Sequence, residues 1–155
     1  MTNTILVVSE KANHRRYRSK YILKDFLGHY HFDTNNKELM KKCLEFLECT
    51  VEKDEDFTTY TEENGKTEVF RVSKNIISKC DGGFWNLEQL REMINGRRYK
   101  SFTGLSNGSL VTCYAAFDED NNTVEIFRPN PNAKEVYKPL EIKEHIKHIK
   151  NHWYL

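Results

Sequence analysis

YKSFTGLSNGSLVTCYAAFDEDNNTVEIFR, residues 99–128, is the stretch of sequence that decides the fold. It contains three runs rich in β-branched and aromatic residues, Tyr99–Thr103, Ser109–Phe117 and Thr123–Arg128. Two short segments rich in Gly, Asn and Asp separate these runs, and such residues favour turns because they tolerate the dihedral angles that turns require. Three strand-like runs joined by two short turns predict an antiparallel meander sheet.

The middle run indicates the centre of this sheet. In Leu110–Phe117 both alternating sets of side chains are largely apolar, which favours a strand that is covered on both faces. The order of strands and turns over residues 99–128 resembles the small curled sheets of SH3-like and Tudor-like domains. That resemblance implies a binding module, and it leaves the ligand open because one fold can serve many functions.

Two further β signals lie upstream of the meander. Thr4–Ser9 is a short apolar run with β-branched residues, and it predicts a buried strand. Phe57–Thr61 and Thr67–Val72 flank a segment that contains an Asn-Gly dipeptide. Asn-Gly between two alternating runs predicts a β-hairpin because both residues accept positive φ.

Four segments carry helical signals, namely Glu10–Leu27, Asn35–Cys49, Asn86–Asn95 and Glu141–Trp153. In the first, Tyr17 and Tyr21 are four residues apart, as neighbours on a helix are, and a glycine follows the segment. The second begins with Asn35 and Glu38, which resemble a capping box. In the last, apolar residues recur at helical spacing and indicate an amphipathic helix.

The helix predicted over Asn86–Asn95 has signals at both ends. Asn86 is a favoured N-cap residue, and Gly96 can end the helix because glycine accepts the left-handed conformation. Its predicted buried stripe consists of Leu87, Leu90, Met93 and Ile94.

The predicted fold class is therefore α+β. It consists of an antiparallel meander sheet, with a small curled SH3-like form as one option, plus a hairpin, packed with three to four helices. A chain of 155 residues fits a single domain over residues 1–155, with a division into 1–80 and 81–155 as the alternative.

Composition excludes some classes of protein and indicates a compartment. The aromatic fraction of 12% indicates a folded chain, and a net charge of +1 argues against a protein that coats nucleic acid by charge alone. The start of the chain lacks a signal-peptide pattern, and no run approaches the ~20 apolar residues of a membrane helix. We therefore expect a cytoplasmic protein, with no membrane partner. Thirty Lys and Asn residues against four Ala are typical of A·T-rich genomes, including those of many bacteriophages, and would place a viral protein in the host cytoplasm.

The four cysteines, Cys43, Cys49, Cys80 and Cys113, form no C-x-x-C pair and lie within apolar runs. They are expected to be reduced, buried thiols.

Two Arg-Arg-Tyr segments are the main candidates for function. Arginine binds phosphate through a planar set of donors, and tyrosine offers a ring on which bases stack. Both segments together predict a nucleic-acid interface. The alternative is that the basic residues lie on a solvent-exposed face of a helix or strand, because the same sequence pattern would result. The candidate contacts are Arg15, Arg16, Tyr17, Arg18, Lys20, Arg97, Arg98, Tyr99 and Lys100.

No catalytic, metal or cofactor motif stands out. His145, His148 and His152 are spaced to share one helix face, but they lack cysteine partners and the His-Glu-x-x-His pattern of a zinc enzyme. We therefore predict no metal site and no cofactor, and a non-enzymatic binding protein. A small enzyme acting on a nucleotide or phosphate ester is the least favoured alternative.

The segment at Gly82–Asn86 supports a different alternative, a regulator or inhibitor that binds a host protein. Two glycines precede Phe84 and Trp85, and such a loop could present large aromatic side chains to a partner. The competing interpretation is that both rings pack under the start of the following helix, against Leu90. The sequence predicts neither the partner nor the oligomeric state.

Overall fold

The computed structural model describes residues 4–10, 19–25, 30–56, 60–62, 65–78, 83–106, 109–130, 132–133 and 153–154. The chain divides into two compact units, an N-terminal unit Met1–Asn75 and a C-terminal unit Ile76–Leu155. The expectation of one domain over residues 1–155, and its alternative with a division at residue 80, stay predictions.

The N-terminal unit is built on an antiparallel sheet with β1 (Thr4–Ser9) at its centre, as the apolar run predicts. Its strand order is β3-β2-β1-β6-β4, and β5 also pairs with β6. Ile5, Val7 and Val69 form a buried cluster across two neighbouring strands. The other strands are β2 (Tyr21–Asp25), β3 (Tyr30–Thr34), β4 (Val51–Lys53), β5 (Tyr60–Glu62) and β6 (Gly65–Val72).

The predicted hairpin is confirmed, with a shift in its turn. Strand β5 pairs with β6 in antiparallel register, and Glu62 lies opposite Gly65. Gly65 is therefore the first residue of β6. The two connecting residues, 63 and 64, lie outside the described residues.

The helix predicted over Glu10–Leu27 is wrong at its end, because Tyr21–Asp25 is strand β2. Ile22 and Leu23 are both buried although neighbouring side chains of a strand point to opposite faces. The strand is therefore covered on both sides and pairs with both β1 and β3. Long-range strand pairing outweighs the four-residue spacing that suggested a helix.

The helix α1 (Lys37–Phe46) confirms the predicted Asn35–Cys49 helix within a shorter range. Its N-cap is Asn36, whose Oδ1 accepts a hydrogen bond of 3.1 Å from the Leu39 amide. Asn35 instead accepts a hydrogen bond from the Lys20 amide. Met40, Cys43 and Leu44 form its buried face.

The C-terminal unit contains the predicted meander, which is confirmed. Its sheet has the order β11-β8-β9-β10-β7, and β8, β9 and β10 pair as consecutive antiparallel strands. The strands are β7 (Asn75–Ser78), β8 (Arg98–Ser106), β9 (Ser109–Asp118), β10 (Thr123–Phe127) and β11 (Trp153–Tyr154). Strand β9 is central, and Cys113, Ala115, Ala116 and Phe117 are all buried.

The helix α2 (Leu87–Ile94) confirms the prediction for Asn86–Asn95. Asn95 adopts the left-handed conformation with φ of 51°, and Gly96 follows with φ of 74°. Leu90 and Ile94 of this helix form a buried cluster with Phe84, Ala116 and Phe127.

The predicted α+β class, packed with three to four helices, is wrong. The fold is mostly β with two sheets, and the described residues contain two helices. One predicted helix is replaced in part by β2. The terminal helix predicted over Glu141–Trp153 falls mainly outside the described residues, and its last residue, Trp153, lies in a strand that runs parallel to β8.

The three cysteines in the described part of the chain, Cys43, Cys49 and Cys113, are free thiols. Burial raises the pKa of the Cys49 thiol to about 11, so this thiol is protonated at neutral pH. Cys80 lies outside the described residues.

Candidate functional site

The start of α2 fixes the loop that carries the aromatic pair Phe84 and Trp85. The Gln89 amide donates a hydrogen bond of 2.8 Å to Oδ1 of the N-cap residue Asn86. The Gln89 side chain reaches back, and its Oε1 accepts a hydrogen bond of 2.8 Å from the Trp85 amide. This reciprocal pair resembles a capping box and fixes the backbone of Trp85 beside the helix.

The same loop packs against the end of β10. The Phe84 amide donates to the Arg128 carbonyl oxygen, and the Asn130 amide donates to the Phe84 carbonyl oxygen at 2.7 Å. Gly83 permits this close approach, because a Cβ atom at that position would lie 1.8 Å from the Arg128 carbonyl oxygen.

The two neighbouring aromatic side chains have different environments. Phe84 is fully buried in the cluster with Leu90, whereas Trp85 is 48% exposed. Of the two predicted partner-binding residues, only Trp85 therefore lies at the surface.

The second Arg-Arg-Tyr segment enters β8, and the strand separates its side chains. Arg98 lies opposite Phe117 in the register, and Tyr99 lies opposite Ala116, which belongs to the cluster under α2. Successive side chains of a strand point to opposite faces. Tyr99 therefore lies on the α2 side of the sheet, and Arg98 and Lys100 lie on the other side.

Arg97 caps the C-terminal end of α2. Its Nε donates a hydrogen bond of 2.8 Å to the Ile94 carbonyl oxygen, and its Nη2 donates one of 2.6 Å to the Met93 carbonyl oxygen. The last carbonyl groups of a helix have no intrahelical donor. The Ile94 oxygen also accepts from the Arg97 backbone amide, whereas the Met93 oxygen accepts from the Arg97 side chain. Its Nη1 pairs with Glu125 Oε2 at 3.1 Å, which balances its charge.

Arg98 and Lys100 cover an aromatic ring on the opposite face. The Arg98 guanidinium lies 4.2 Å from the centre of the Phe117 ring, and the Lys100 Nζ lies 5.6 Å from it. Arg98 also forms an exposed ion pair with Glu119 at 2.7 Å. Part of this positive charge is therefore engaged within the protein.

The first Arg-Arg-Tyr segment contributes no described geometry. Arg15, Arg16, Tyr17 and Arg18 lie outside the described residues, and Lys20 is exposed in the N-terminal unit.

A groove of about 510 Å³ lies in the C-terminal unit between α2 and the sheet, and we call it the α2–β8 groove. Helix α2 supplies one wall with Leu87, Leu90, Arg91 and Ile94. Gly96 and Arg97 after the helix, together with Tyr99 and Tyr114 from the sheet, supply the rest.

Two large side chains of the groove are open to solvent. Leu87 is 44% exposed, although the sequence places it in the buried stripe of α2, and Tyr99 is 55% exposed. Leu87 is the first residue of α2. Leu90 and Ile94 of the same helix belong to the buried cluster, and Leu87 does not. Exposed side chains of this size in one groove are typical of binding surfaces.

Three polar groups of the groove have no partner among the described residues. They are the Arg91 guanidinium and the hydroxyl groups of Tyr99 and Tyr114. The two tyrosine rings lie 6.1 Å apart. Burial raises the pKa of the Tyr114 hydroxyl, and the neighbouring Tyr99 hydroxyl raises it further, so Tyr114 is a hydrogen-bond donor at neutral pH.

The comparisons with known proteins found no match. No protein-family model, no curated protein and no solved structure matches this chain.

Two further observations concern only the described residues. None of their helices is long and apolar enough to cross a membrane. Among the same residues, no group of three His, Cys, Asp or Glu side chains is arranged to hold a metal ion. The three histidines considered from the sequence, His145, His148 and His152, lie outside the described residues.

The residues that assemble the groove were only partly visible in the sequence. Tyr99 and Arg97 belong to the Arg-Arg-Tyr segment, but Arg91 and Tyr114 were not predicted as site residues. Arg91 lies four residues after Leu87 and three before Ile94, so it borders the apolar stripe of α2. Tyr114 is a polar-tipped residue in an otherwise buried strand, which is the available signal for it.

Proposed function

We propose that this chain is a non-catalytic protein-binding regulator of the cytoplasm that contacts its partner through the α2–β8 groove. The observation that carries the proposal is the exposure of Leu87 and Tyr99 in the same groove as Arg91. Tyrosine and arginine are enriched among the residues that dominate binding energy at protein interfaces. Trp85, exposed beside the start of the same helix, adds a third residue of this kind.

The charge of this region supports a protein partner over nucleic acid. Residues 83–130 contain five basic and six acidic side chains. Arg97 and Arg98 each pair with a carboxylate, and Arg98 and Tyr99 lie on opposite faces of β8. A nucleic-acid surface would need unpaired positive charge beside its stacking ring. Nucleic-acid binding through both Arg-Arg-Tyr segments stays a prediction.

A peptide-display selection on the full-length protein tests the proposal. We expect enrichment of peptides that bind the wild type and the Ile77→Ala variant equally, because Ile77 is exposed in the same unit but does not line the groove. The Tyr99→Ala and Leu87→Ser variants should bind these peptides at least about tenfold more weakly, as expected for interface residues whose truncation costs about 1.4 kcal/mol or more.

Circular dichroism of each variant separates a loss of binding from a loss of folding. If no peptide is enriched, or if Tyr99→Ala and Leu87→Ser bind the selected peptides as well as the wild type, the groove is not the contact surface. A mobility-shift titration with single-stranded DNA serves as the competing arm. Tight binding that weakens steeply with salt would favour the nucleic-acid hypothesis instead.

A further inference from the structure

The three unpartnered polar groups of the α2–β8 groove share one chemical property. The Arg91 guanidinium and the Tyr99 and Tyr114 hydroxyls can all donate hydrogen bonds, and the guanidinium is always charged. The lining contains two arginines and no carboxylate. A ligand group that fits this set is an acceptor with negative charge.

The two arginines of the groove have different roles. Arg97 is held by Glu125 and by two carbonyl groups of α2, so its charge is balanced within the protein. These hydrogen bonds also cover the carbonyl end of the helix, which would otherwise repel an anion. Arg91 has no such partner among the described residues, so it is the cation available to a ligand.

An apolar wall lies beside these donors. Leu87, Leu90 and Ile94 come from successive turns of α2, and Leu87 leaves nearly half of its surface open. A ligand that covers this wall and reaches Arg91 must carry an apolar side chain next to its anionic group.

We propose that the α2–β8 groove recognises a carboxylate next to a large apolar side chain on the partner protein, with Arg91 as the ionic contact. The Tyr99 and Tyr114 hydroxyls donate to the same carboxylate. This inference rests on the proposed function and names the chemistry of the segment that the groove binds. A C-terminal Phe or Leu residue of the partner carries both groups.

Two small probes of nearly the same shape, one with a carboxylate and one with a neutral carboxamide, test the inference on the full-length protein. They are N-acetyl-L-phenylalanine, which has a carboxylate, and N-acetyl-L-phenylalaninamide, which does not. We expect NMR titrations to show groove signals that shift with both probes, with binding of the acid about tenfold tighter or more, as charge-assisted hydrogen bonds allow. The Arg91→Gln variant should lose this preference. The Arg98→Gln variant should keep it, because Arg98 does not line the groove.

Each other outcome overturns the inference in a distinguishable way. Equal affinity for acid and amide, or a preference that survives in Arg91→Gln, removes the carboxylate contact but leaves a protein-binding groove in place. If neither probe shifts the groove signals, the carboxylate contact is also ruled out. The peptide selection then tests the proposed function independently. Inorganic phosphate and acetate can be compared as competitors of the bound acid. If phosphate displaces the acid at a lower concentration than acetate does, the groove selects phosphate, and the carboxylate assignment is wrong.

Discussion

Arg97 and Arg98 are neighbours in the chain but stabilise the protein in different ways. Arg97 is half-buried and satisfies Met93 and Ile94 carbonyl groups as well as Glu125. Arg98 is exposed, with a surface ion pair and a contact with the Phe117 ring. Their identical chemistry in the sequence gives no sign of this difference, because it depends on where α2 ends and β8 begins. Arg97 lies between the two elements, and Arg98 is the first residue of β8.

Replacement of each arginine should separate these roles. We expect Arg97→Gln to lower the free energy of unfolding by about 2–3 kcal/mol, because it removes the ion pair with the half-buried Glu125 and the side-chain donor to the Met93 carbonyl group. Arg98→Gln should cost about 1 kcal/mol or less, as is typical of exposed ion pairs and cation–π contacts. Urea unfolding measures both, and an equal loss would contradict the assignment of Arg97 as a helix cap.

A second prediction concerns two glycines with different constraints. Gly83→Ala should destabilise the protein by about 2–3 kcal/mol, because the new Cβ would collide with the Arg128 carbonyl oxygen. Gly96→Ala should cost about 1–2 kcal/mol through its positive φ alone, because nothing lies within 4 Å of the added Cβ. Thermal unfolding of the pair checks the order, and a harmless Gly83→Ala would contradict the packing of this loop.

The raised pKa of Tyr114 should make the free energy of unfolding depend on pH in the alkaline range. Its folded-state pKa lies above the ordinary value of 10.0, chiefly because of burial. The folded state therefore keeps this proton longer than the unfolded state. The stability from Tyr114 is fully present below pH 10 and is lost as the pH rises through the raised folded-state pKa. We expect the difference in the free energy of unfolding between the wild type and Tyr114→Phe to fall over this range. The contributions of the seven other tyrosines cancel in this difference, because both proteins contain them. A constant difference would contradict the raised pKa.

At the scale of elements, the ends of α2 follow from its sequence. An asparagine before Leu87 and an Asn-Gly pair after Ile94 match both observed ends. The predicted cap of α1, Asn35, is one residue too early, because Asn35 and Asn36 are both suitable caps and only the observed hydrogen bonds select Asn36. The terminal elements show the limit of local signals, since Trp153 pairs with β8 over a long sequence distance.

The cap of α2 is also expected to order Trp85. Asn86→Ala should cost about 1 kcal/mol of unfolding free energy, since it removes the acceptor for the Gln89 amide. Asn86→Asp should restore most of that loss. Gln89→Ala should cost less stability, but it removes the acceptor of the Trp85 amide. Increased amide exchange at Trp85 in Gln89→Ala, without global unfolding, is the expected result, and unchanged exchange would contradict the reciprocal cap.

Strand β2 shows why element types can be mistaken. The side chains of Tyr21–Asp25 suit either a helix or a strand that is covered on both faces, and the choice depends on pairing with β1 and β3. By contrast, β8, β9 and β10 are consecutive and joined by short turns, so local signals were sufficient for the meander.

Over the whole molecule, the fold is mostly β with two sheets, and not the predicted α+β domain packed with three to four helices. The candidate site was predicted in part, because Tyr99 was predicted to be a contact residue, although for nucleic acid. Its neighbours Arg91 and Tyr114 come from a helix and from a strand of the same unit. Their proximity is a consequence of tertiary packing, which spacing along the sequence does not encode.

Methyl NMR of the full-length protein with a selected peptide can show whether the α2–β8 groove is a protein-binding surface. We expect saturable shifts of the methyl signals of Leu87 and Ile94, which line the groove, and no shift of the Ile77 methyl signals. Peptide binding that shifts Ile77 and leaves Leu87 and Ile94 unchanged would contradict the account.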